Sequence, residues 1–124
     1  MEYLLIHDTK YSPRVELNPE GQISIRGRSL IEDPFAFYNP IILWAQSYSS
    51  PVLDVEIKLE YLNTSSSKLL FTLLLGIQNN FNIKKASVNW YYEEYDEDNL
   101  ELGKEFESQI NIPFNFFGYS DVEV

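Results

Sequence analysis

The sequence predicts a single α/β domain: a mixed β-sheet of about five strands, with about three helices mainly on one face of the sheet. Three observations support this fold class. Short segments with a hydrophobic period of two alternate along the chain with longer apolar segments typical of helices. The clearest strand carries its charges on one side only, as expected of a sheet with one face in water. The length of 124 residues suits one domain, and we expect 1–124 to form it.

The opening elements are a β-hairpin and a helix. Apolar residues alternate with polar ones around the turn-forming segment Asn18-Pro-Glu-Gly21, which predicts two antiparallel strands. In the apolar segment that follows, Asp33 precedes Pro34 and Asn39 precedes Pro40. Each pair resembles an N-cap followed by proline at the first helical position. We therefore predict a helix that runs to about Tyr48, with a kink or a new start near Pro40.

The next strand and helix are the most clearly marked elements. In the segment from Val52 to Tyr61, apolar residues from Leu53 onward alternate with charged ones, which predicts a strand with one wet face. The segment Lys68–Gln78 is too long and too rich in leucine for a strand, and cap residues precede it. This helix is apolar on nearly all sides. It is expected either to lie deep against the sheet or to expose a leucine-rich face to another protein.

The last third of the chain predicts a strand, a helix and a final edge strand. Alternation from Ala86 to Tyr92 indicates the strand, and Asp96–Ile110 begins with acids that suit a helix N-terminus. Pro113–Tyr119 is aromatic and alternating. The resulting order β-β-α-β-α-β-α-β predicts that the strands after the hairpin are parallel neighbours joined by right-handed crossovers.

Composition argues against several classes of partner and location. The chain has no cysteine, and its net charge is −10. The charge opposes nucleic-acid binding, so neither DNA nor RNA is an expected partner. The N-terminus does not resemble a signal peptide, and no apolar stretch is long enough to cross a bilayer. Together with the absence of disulfides, these features predict a cytoplasmic protein without membrane insertion.

The residues that catalysis would need are scarce. The only histidine, His7, stands in no recognisable motif, so neither a Ser-His triad nor a zinc site is expected. The acidic run Glu93–Asp98 lacks the pattern of a calcium loop and is best explained as a solvated helix start. A small acid-base enzyme that uses this run stays an alternative. The five glycines are isolated, so no phosphate-binding loop and no cofactor are predicted.

The hydroxyl cluster Asn63-Thr-Ser-Ser-Ser67 is the strongest functional candidate. It stands where a strand ends and a helix begins, so Asn63, Thr64 or Ser65 is expected to cap the helix. Capping does not explain four consecutive hydroxyls, and helix N-termini favour anions. A phosphate on Thr64 would add about −1.5 to −2 charge within reach of Lys68. The residues therefore leave two interpretations: a capped helix start without a switch, or a phosphorylation switch at a protein interface bordered by the following helix and by Tyr91 and Tyr92.

At this cluster the sequence strongly resembles the SiaC family of bacterial regulatory phosphoproteins. The most specific part of the resemblance is the core Leu59-Glu-Tyr-Leu-Asn-Thr-Ser-Ser-Ser-Lys68. The supporting segments are Ser12-Pro-Arg-Val-Glu16, Gly21-Gln-Ile-Ser-Ile-Arg-Gly27, Phe37-Tyr-Asn-Pro40 with Trp44, Trp90-Tyr-Tyr92 and Asp96-Glu-Asp98. One segment departs from the family pattern, namely Ser29-Leu-Ile-Glu-Asp-Pro-Phe35 before the first helix.

The resemblance implies a non-enzymatic partner-switching regulator with a STAS-like fold. It implies phosphorylation of Thr64 by a dedicated Ser/Thr kinase, and dephosphorylation by a metal-dependent Ser/Thr phosphatase. The unphosphorylated form is then expected to bind and activate a diguanylate cyclase, which makes cyclic di-GMP. The motif residues around the acceptor are Tyr61, Asn63, Ser65, Ser66 and Lys68. Ser67 could be a second acceptor. A protein-binding module without a switch stays an alternative.

Overall fold

The computed structural model describes residues 1–120 of the chain. Its strands are β1 (Leu4–Ile6), β2 (Arg14–Asn18), β3 (Gln22–Ser29), β4 (Val52–Leu62), β5 (Lys85–Glu93) and β6 (Phe114–Tyr119). Its helices are α1 (Pro34–Ser47), α2 (Thr64–Gln78) and α3 (Glu97–Gln109).

The strands form one mixed sheet whose order in space, β1-β2-β3-β4-β5-β6, equals their order in the chain. The first two pairings are antiparallel and the remaining three are parallel. The predicted fold class, hairpin, parallel neighbours and final edge strand are confirmed. The sheet within residues 1–120 has six strands, however, because β1 precedes the predicted ones. Leu4, Leu5 and Ile6 are consecutive apolar residues on an edge, so no alternation marked them as a strand.

The three helices cover one face of the sheet, as predicted. Alternate residues of β4, beginning at Leu53, are buried in a single core cluster that also includes residues of all three helices. The intervening residues, beginning at Asp54, are polar and point to the uncovered face. The fully buried core residues of the other strands are Val15, Leu17, Ile23, Ile25, Val88 and Trp90.

Helix α1 begins as predicted, with Asp33 at the N-cap position and Pro34 in the first turn, but it has no new start at Pro40. Asp33 is the N-cap residue, but its side chain makes no capping hydrogen bond. The helix then runs without a new start through Pro40. A proline inside a helix removes one backbone hydrogen bond. Tyr38 and Ile41, on either side of Pro40, are completely buried, and this packing keeps the helix continuous.

Helix α2 lies deep against the sheet, which is the first of the two predicted alternatives. Leu70, Leu73 and Leu74 are completely buried. Leu69 and Leu75 are half-buried and pack against the core cluster. The apolar residues all round the helix are explained by contacts with both the sheet and α1. Among the helices of residues 1–120, none combines the length and the apolar character that a membrane crossing requires.

Candidate functional site: the cleft at Thr64

Asn63 fixes the start of α2. Its side-chain oxygen accepts the backbone N–H of Ser66 at 2.9 Å, which satisfies one of the free donors of the first helical turn. Its side-chain nitrogen donates to the carbonyl of Ile31 at 3.1 Å, and its backbone N–H donates to the carbonyl of Ser29 at 3.0 Å. The predicted cap is therefore Asn63, and it also ties α2 to the loop between β3 and α1.

A buried hydroxyl pair adjoins this connection. The hydroxyls of Ser29 and Tyr38 lie 2.8 Å apart, and both residues are completely buried. Burial disfavours the phenolate and raises the pKa of Tyr38 to about 12, although the hydrogen bond with Ser29 opposes this shift. The Tyr38 side chain of α1 is therefore held in its neutral form.

Thr64 is the first residue of α2 and is exposed to solvent. It follows the end of β4 after a single intervening residue, Asn63. Within residues 1–120 no hydrogen bond occupies its hydroxyl, whereas its carbonyl accepts the hydroxyl of Ser67 at 2.7 Å. The Thr64 hydroxyl is thus available to another molecule.

Thr64 lines a cleft of about 370 Å³ between the end of β4 and the starts of α2 and α3. Three carboxylate side chains line the cleft, so it is negatively charged. The lining residues are Glu60, Tyr61, Leu62, Thr64, Ser67, Asp96, Asp98, Asn99 and Leu102.

Asn99 positions the α3 wall of the cleft. Its side-chain nitrogen donates to the carbonyl of Leu59 at 2.9 Å, and its side-chain oxygen accepts the indole N–H of Trp90 at 3.0 Å. Its backbone N–H donates to the carboxylate of Asp96 at 3.0 Å, which caps α3 as the acidic segment predicted. One side chain therefore connects the start of α3 to the neighbouring strands β4 and β5.

The other motif residues have different surroundings. Tyr61 is exposed, and the guanidinium carbon of Arg28 lies 5.3 Å from its ring centroid. Ser65 is exposed and donates a weak hydrogen bond to Asn63 at 3.4 Å. Ser66 differs from the prediction, because it is completely buried and its hydroxyl has no hydrogen-bond partner among residues 1–120. Lys68 is exposed on the same side of α2 as Thr64.

Other candidate residues lie outside the cleft. Tyr92 packs against the core under the helices, whereas Tyr91 stacks on Phe117 with ring centroids 5.0 Å apart. Neighbouring residues of a strand point to opposite faces, so the two tyrosines do not border the cleft together. His7 is exposed and does not line it.

The sequence prediction did not include Asp96, Asp98 and Asn99 in the cleft. One sequence signal could have placed them there: the segment Asp-x-x-Asn, which caps α3, directly follows β5, and β5 runs parallel to β4. Within residues 1–120 no group of three or more acidic, histidine or cysteine side chains is placed to hold a metal ion. The carboxylates of the cleft contribute negative charge and hydrogen-bond acceptors.

Fold and cleft together define a two-layer α/β protein whose exposed polar crevice lies at the junction of a strand and the following helix. The chain belongs to the SiaC family of regulatory phosphoproteins, because the sequence model of this family matches residues 6–119.

Known relatives and solved structures agree with this assignment. An uncharacterized protein of Pseudomonas aeruginosa is 28% identical over 119 residues, which are 92% of this chain and 94% of that protein. Apo-SiaC of P. aeruginosa superposes with a TM-score of 0.82 at 27% identity, covering 95% of this chain and all of that one. A crystal structure of the diguanylate cyclase SiaD in complex with its activator SiaC, also from P. aeruginosa, matches with a TM-score of 0.84 at 26% identity. The match covers 94% of this chain and 99% of that one.

Proposed function

We propose that this protein is a non-enzymatic regulator of the bacterial cytoplasm that binds and activates a diguanylate cyclase while Thr64 is unphosphorylated. A Ser/Thr kinase and a metal-dependent Ser/Thr phosphatase set the state of Thr64. The observation that carries the proposal is the exposed Thr64 hydroxyl at the start of α2, inside a cleft. The family of regulatory phosphoproteins and the complex of SiaC with SiaD support it.

The surroundings of Thr64 suit a modification that changes binding without unfolding the domain. Its side chain is exposed, so a phosphate displaces no core residue. The free N–H groups at the start of α2 favour an anion. The cleft already contains Glu60, Asp96 and Asp98, so a phosphate of nearly two negative charges makes its potential strongly more negative. A partner fitted to the unmodified cleft would meet both the added bulk and the added charge.

The test uses the purified diguanylate cyclase of the source bacterium and three forms of the protein. We expect the wild-type protein to stimulate cyclic di-GMP synthesis, Thr64→Asp to stimulate it at least about tenfold less, and Thr64→Ala to be insensitive to the kinase. Ser65→Ala is the matched control, because Ser65 is exposed in the same helical turn.

Mass spectrometry of protein isolated from its native host locates the modification independently. The proposal requires a phosphate on the peptide that contains Thr64, and its loss in Thr64→Ala. A phosphate confined to Ser65 or Ser67 would contradict the assignment of the acceptor. Equal losses of cyclase activation and of thermal stability in Thr64→Asp would indicate a structural role only.

A binding module without a switch is the second candidate. Local hydrogen bonds favour it, because Ser65 and Ser67 each donate to the first residues of the same turn. These bonds account for two of the four hydroxyls as parts of the helix start. A protein that activates the cyclase equally before and after treatment with the active kinase would establish this second function.

A further inference from the structure

A second concave surface lies at the end of the sheet where β4, β5 and β6 begin, and we call it the basic pocket. Its volume is about 330 Å³. Because these strands are parallel, this end is opposite to the one at which Thr64 follows β4. β4 has 11 residues, so the two ends are separated by roughly 35 Å. The lining residues are Ile77, Gln78, Ile83, Lys84, Lys85, Ala86, Asn111, Ile112 and Pro113.

Charge is distributed unevenly along the chain. The net charge is −10, yet residues 63–92 contain three lysines and no acid. Two of these lysines, Lys84 and Lys85, line the basic pocket, and its other lining residues are uncharged. Both lysines are exposed, and neither forms an ion pair within residues 1–120. Glu20 lies at the same end of the sheet, but in the turn between β2 and β3 and outside the lining. The pocket is therefore a positively charged site on an acidic protein.

The interior of the basic pocket is apolar. Ile77 and Ile112 are buried, Ile83 is half-buried, and all three line the pocket. The side-chain oxygen of Gln78 accepts the backbone N–H of Asn111 at 2.6 Å, which joins the end of α2 to the segment before β6. An apolar side chain of a ligand can thus be buried between two fixed walls, while the lysines bind charged groups beside it.

The loop before β5 exposes an aromatic side chain close to the lysines in sequence. Phe81 is 92% exposed. The loop is nevertheless fixed by hydrogen bonds, because the side-chain nitrogen of Asn80 donates to the carbonyls of Ala45 and Tyr48 at 2.9 and 2.8 Å. The ammonium of Lys84 donates to the carbonyl of Phe81 at 2.8 Å. An aromatic residue that is exposed on a fixed loop adds nothing to the core, and aromatic residues are enriched at binding surfaces.

These features favour a short acidic segment of a partner protein over an extended anionic surface. Carboxylates of such a segment complement the charges of Lys84 and Lys85. Attachment to an anionic membrane typically uses about four to eight cations, and the pocket has only this pair. A membrane or a nucleic acid would also repel the rest of a chain with a net charge of −10, whereas a short segment meets only the local positive charge.

We propose that the basic pocket binds an acidic segment of a partner protein in which an apolar side chain stands between carboxylates. The apolar side chain enters the pocket beside Ile83 and Ile112, the carboxylates bind Lys84 and Lys85, and Phe81 contributes a further apolar contact. This site goes beyond the function proposed above, because it shares no residue with the Thr64 cleft. The protein can therefore hold an acidic partner in either state of Thr64.

The first test measures the binding of a fluorescein-labelled peptide, Asp-Asp-Leu-Asp-Asp, by fluorescence anisotropy. We expect Lys85→Glu to raise Kd at least about tenfold, and Lys10→Glu to raise it by less than about threefold. Lys10 is the matched control, because it is an exposed lysine outside the pocket and its substitution changes the net charge by the same amount. Equal Kd values for the two variants would overturn the site.

The second test concerns the apolar contacts. The peptide Asp-Asp-Ser-Asp-Asp should bind the wild-type protein at least about tenfold more weakly than the leucine peptide. Phe81→Ser should raise Kd for the leucine peptide by roughly threefold or more, and Tyr95→Ser should leave it within about twofold. Tyr95 is the control because it is 84% exposed in a different loop. Circular dichroism checks that both variants are folded, and equal binding of the two peptides would contradict the proposal.

Methyl NMR locates the bound peptide and separates this proposal from the function proposed above. The methyl resonances of Ile83 and Ile112 should shift on addition of the leucine peptide. Ile31 is connected to Asn63 at the start of α2, so shifts confined to Ile31 would place the peptide at the Thr64 cleft and overturn the proposal. Thr64→Asp should leave Kd for the peptide within about twofold, so a failure of cyclase activation with intact peptide binding refutes only the proposed function.

The same proteins test for a membrane as the ligand. Sedimentation with vesicles of phosphatidylserine and phosphatidylcholine should show no binding that depends on Lys85. Vesicle binding that is lost in Lys85→Glu, together with no binding of the leucine peptide, would overturn the proposal in favour of a lipid surface. Binding of the leucine peptide that is lost in Lys85→Glu and retained in Lys10→Glu establishes the basic pocket.

Discussion

The indole N–H of Trp90 donates a hydrogen bond to the side-chain oxygen of Asn99 across 3.0 Å. Trp90 is almost completely buried in β5, whereas Asn99 lies in the first turn of α3. The same side chain also binds the carbonyl of Leu59 in β4. This one amide therefore joins the start of α3 to β5 and to the end of β4, beside the Thr64 cleft.

Removal of that amide should destabilise the protein. Asn99→Ala leaves the buried indole N–H of Trp90 without its acceptor, and we expect the free energy of unfolding to fall by roughly 2 kcal/mol. Urea titration followed by tryptophan fluorescence measures this change. Asn89→Ala is the control, because Asn89 lies on the uncovered face of β5. Equal effects of both variants would contradict the role assigned to Asn99.

Replacement of two helical glycines by alanine should change the stability of the protein in opposite directions. A Cβ at Gly103 of α3 would lie 2.8 Å from ring atoms of Trp90 and Phe116, so Gly103→Ala should cost about 1 to 3 kcal/mol. A Cβ at Gly76 of α2 would lie 3.6 Å from the side chain of Gln46, an ordinary contact. Gly76→Ala should therefore stabilise the protein by about 0.5 to 1 kcal/mol. Thermal denaturation of both variants tests this: the melting temperature should fall for Gly103→Ala and rise for Gly76→Ala.

The buried hydroxyl pair of Ser29 and Tyr38 predicts that the stability difference between the wild-type protein and Tyr38→Phe depends on pH. At pH 7, Tyr38→Phe leaves the buried hydroxyl of Ser29 without a partner and should cost about 1 kcal/mol. The pKa of Tyr38 in the folded protein is about 12, above its unfolded value near 10. Its stabilising contribution is therefore complete below about pH 10 and is lost as the pH rises towards 12.

The phenylalanine variant has no such loss, so the stability difference between the two proteins should shrink by roughly 1 kcal/mol between pH 10 and pH 11. Urea denaturation of both proteins at pH 7 and pH 11 tests this. A difference that is the same at both pH values would contradict the protonated, buried state of Tyr38 in the native protein.

Substitutions of the cap residue Asn63 and of the proposed phosphate acceptor Thr64 should have different effects on stability. Asn63→Ala removes the cap and the bond to Ile31, so a loss of about 1 to 2 kcal/mol is expected. Thr64→Ala removes a hydroxyl that makes no hydrogen bond within residues 1–120, so the change should be within about 0.5 kcal/mol. Calorimetry of both variants compares the two losses directly, and a larger loss for Thr64→Ala would contradict these assignments.

Local patterns predicted most of the fold. The strict alternation in β4 and the cap at Asn63 are properties of neighbouring residues, and the structure agrees with both. β1 was missed because its pairing with β2, in which Leu4 lies opposite Leu17, is a contact between distant parts of the chain. The sequence left open whether the leucines of α2 face the core or a partner protein, because one sequence does not reveal how many neighbours a helix has. In the structure they contact α1 as well as the sheet.

The cleft could be predicted only in part, because it too depends on contacts between distant parts of the chain. The local sequence identified Thr64 as an exposed residue at a strand-to-helix junction. Asp98 and Asn99 come from a helix that follows the next strand, and their approach depends on the strand order. Periodicity carries no information about that order. The burial of Ser66 was likewise hidden, because three consecutive serines look alike until the rotation of the helix is known.

The equal order of strands in space and in sequence has a consequence for how the molecule forms. Each strand after the first pairs with the one synthesised just before it, so the sheet can grow in one direction as the chain emerges from the ribosome. The crevice beside Thr64 nevertheless needs α3, which comes late in the chain. A chain synthesised only as far as β5 carries the threonine but not the wall opposite it, so a protein that recognises both walls can act only after α3 has been made.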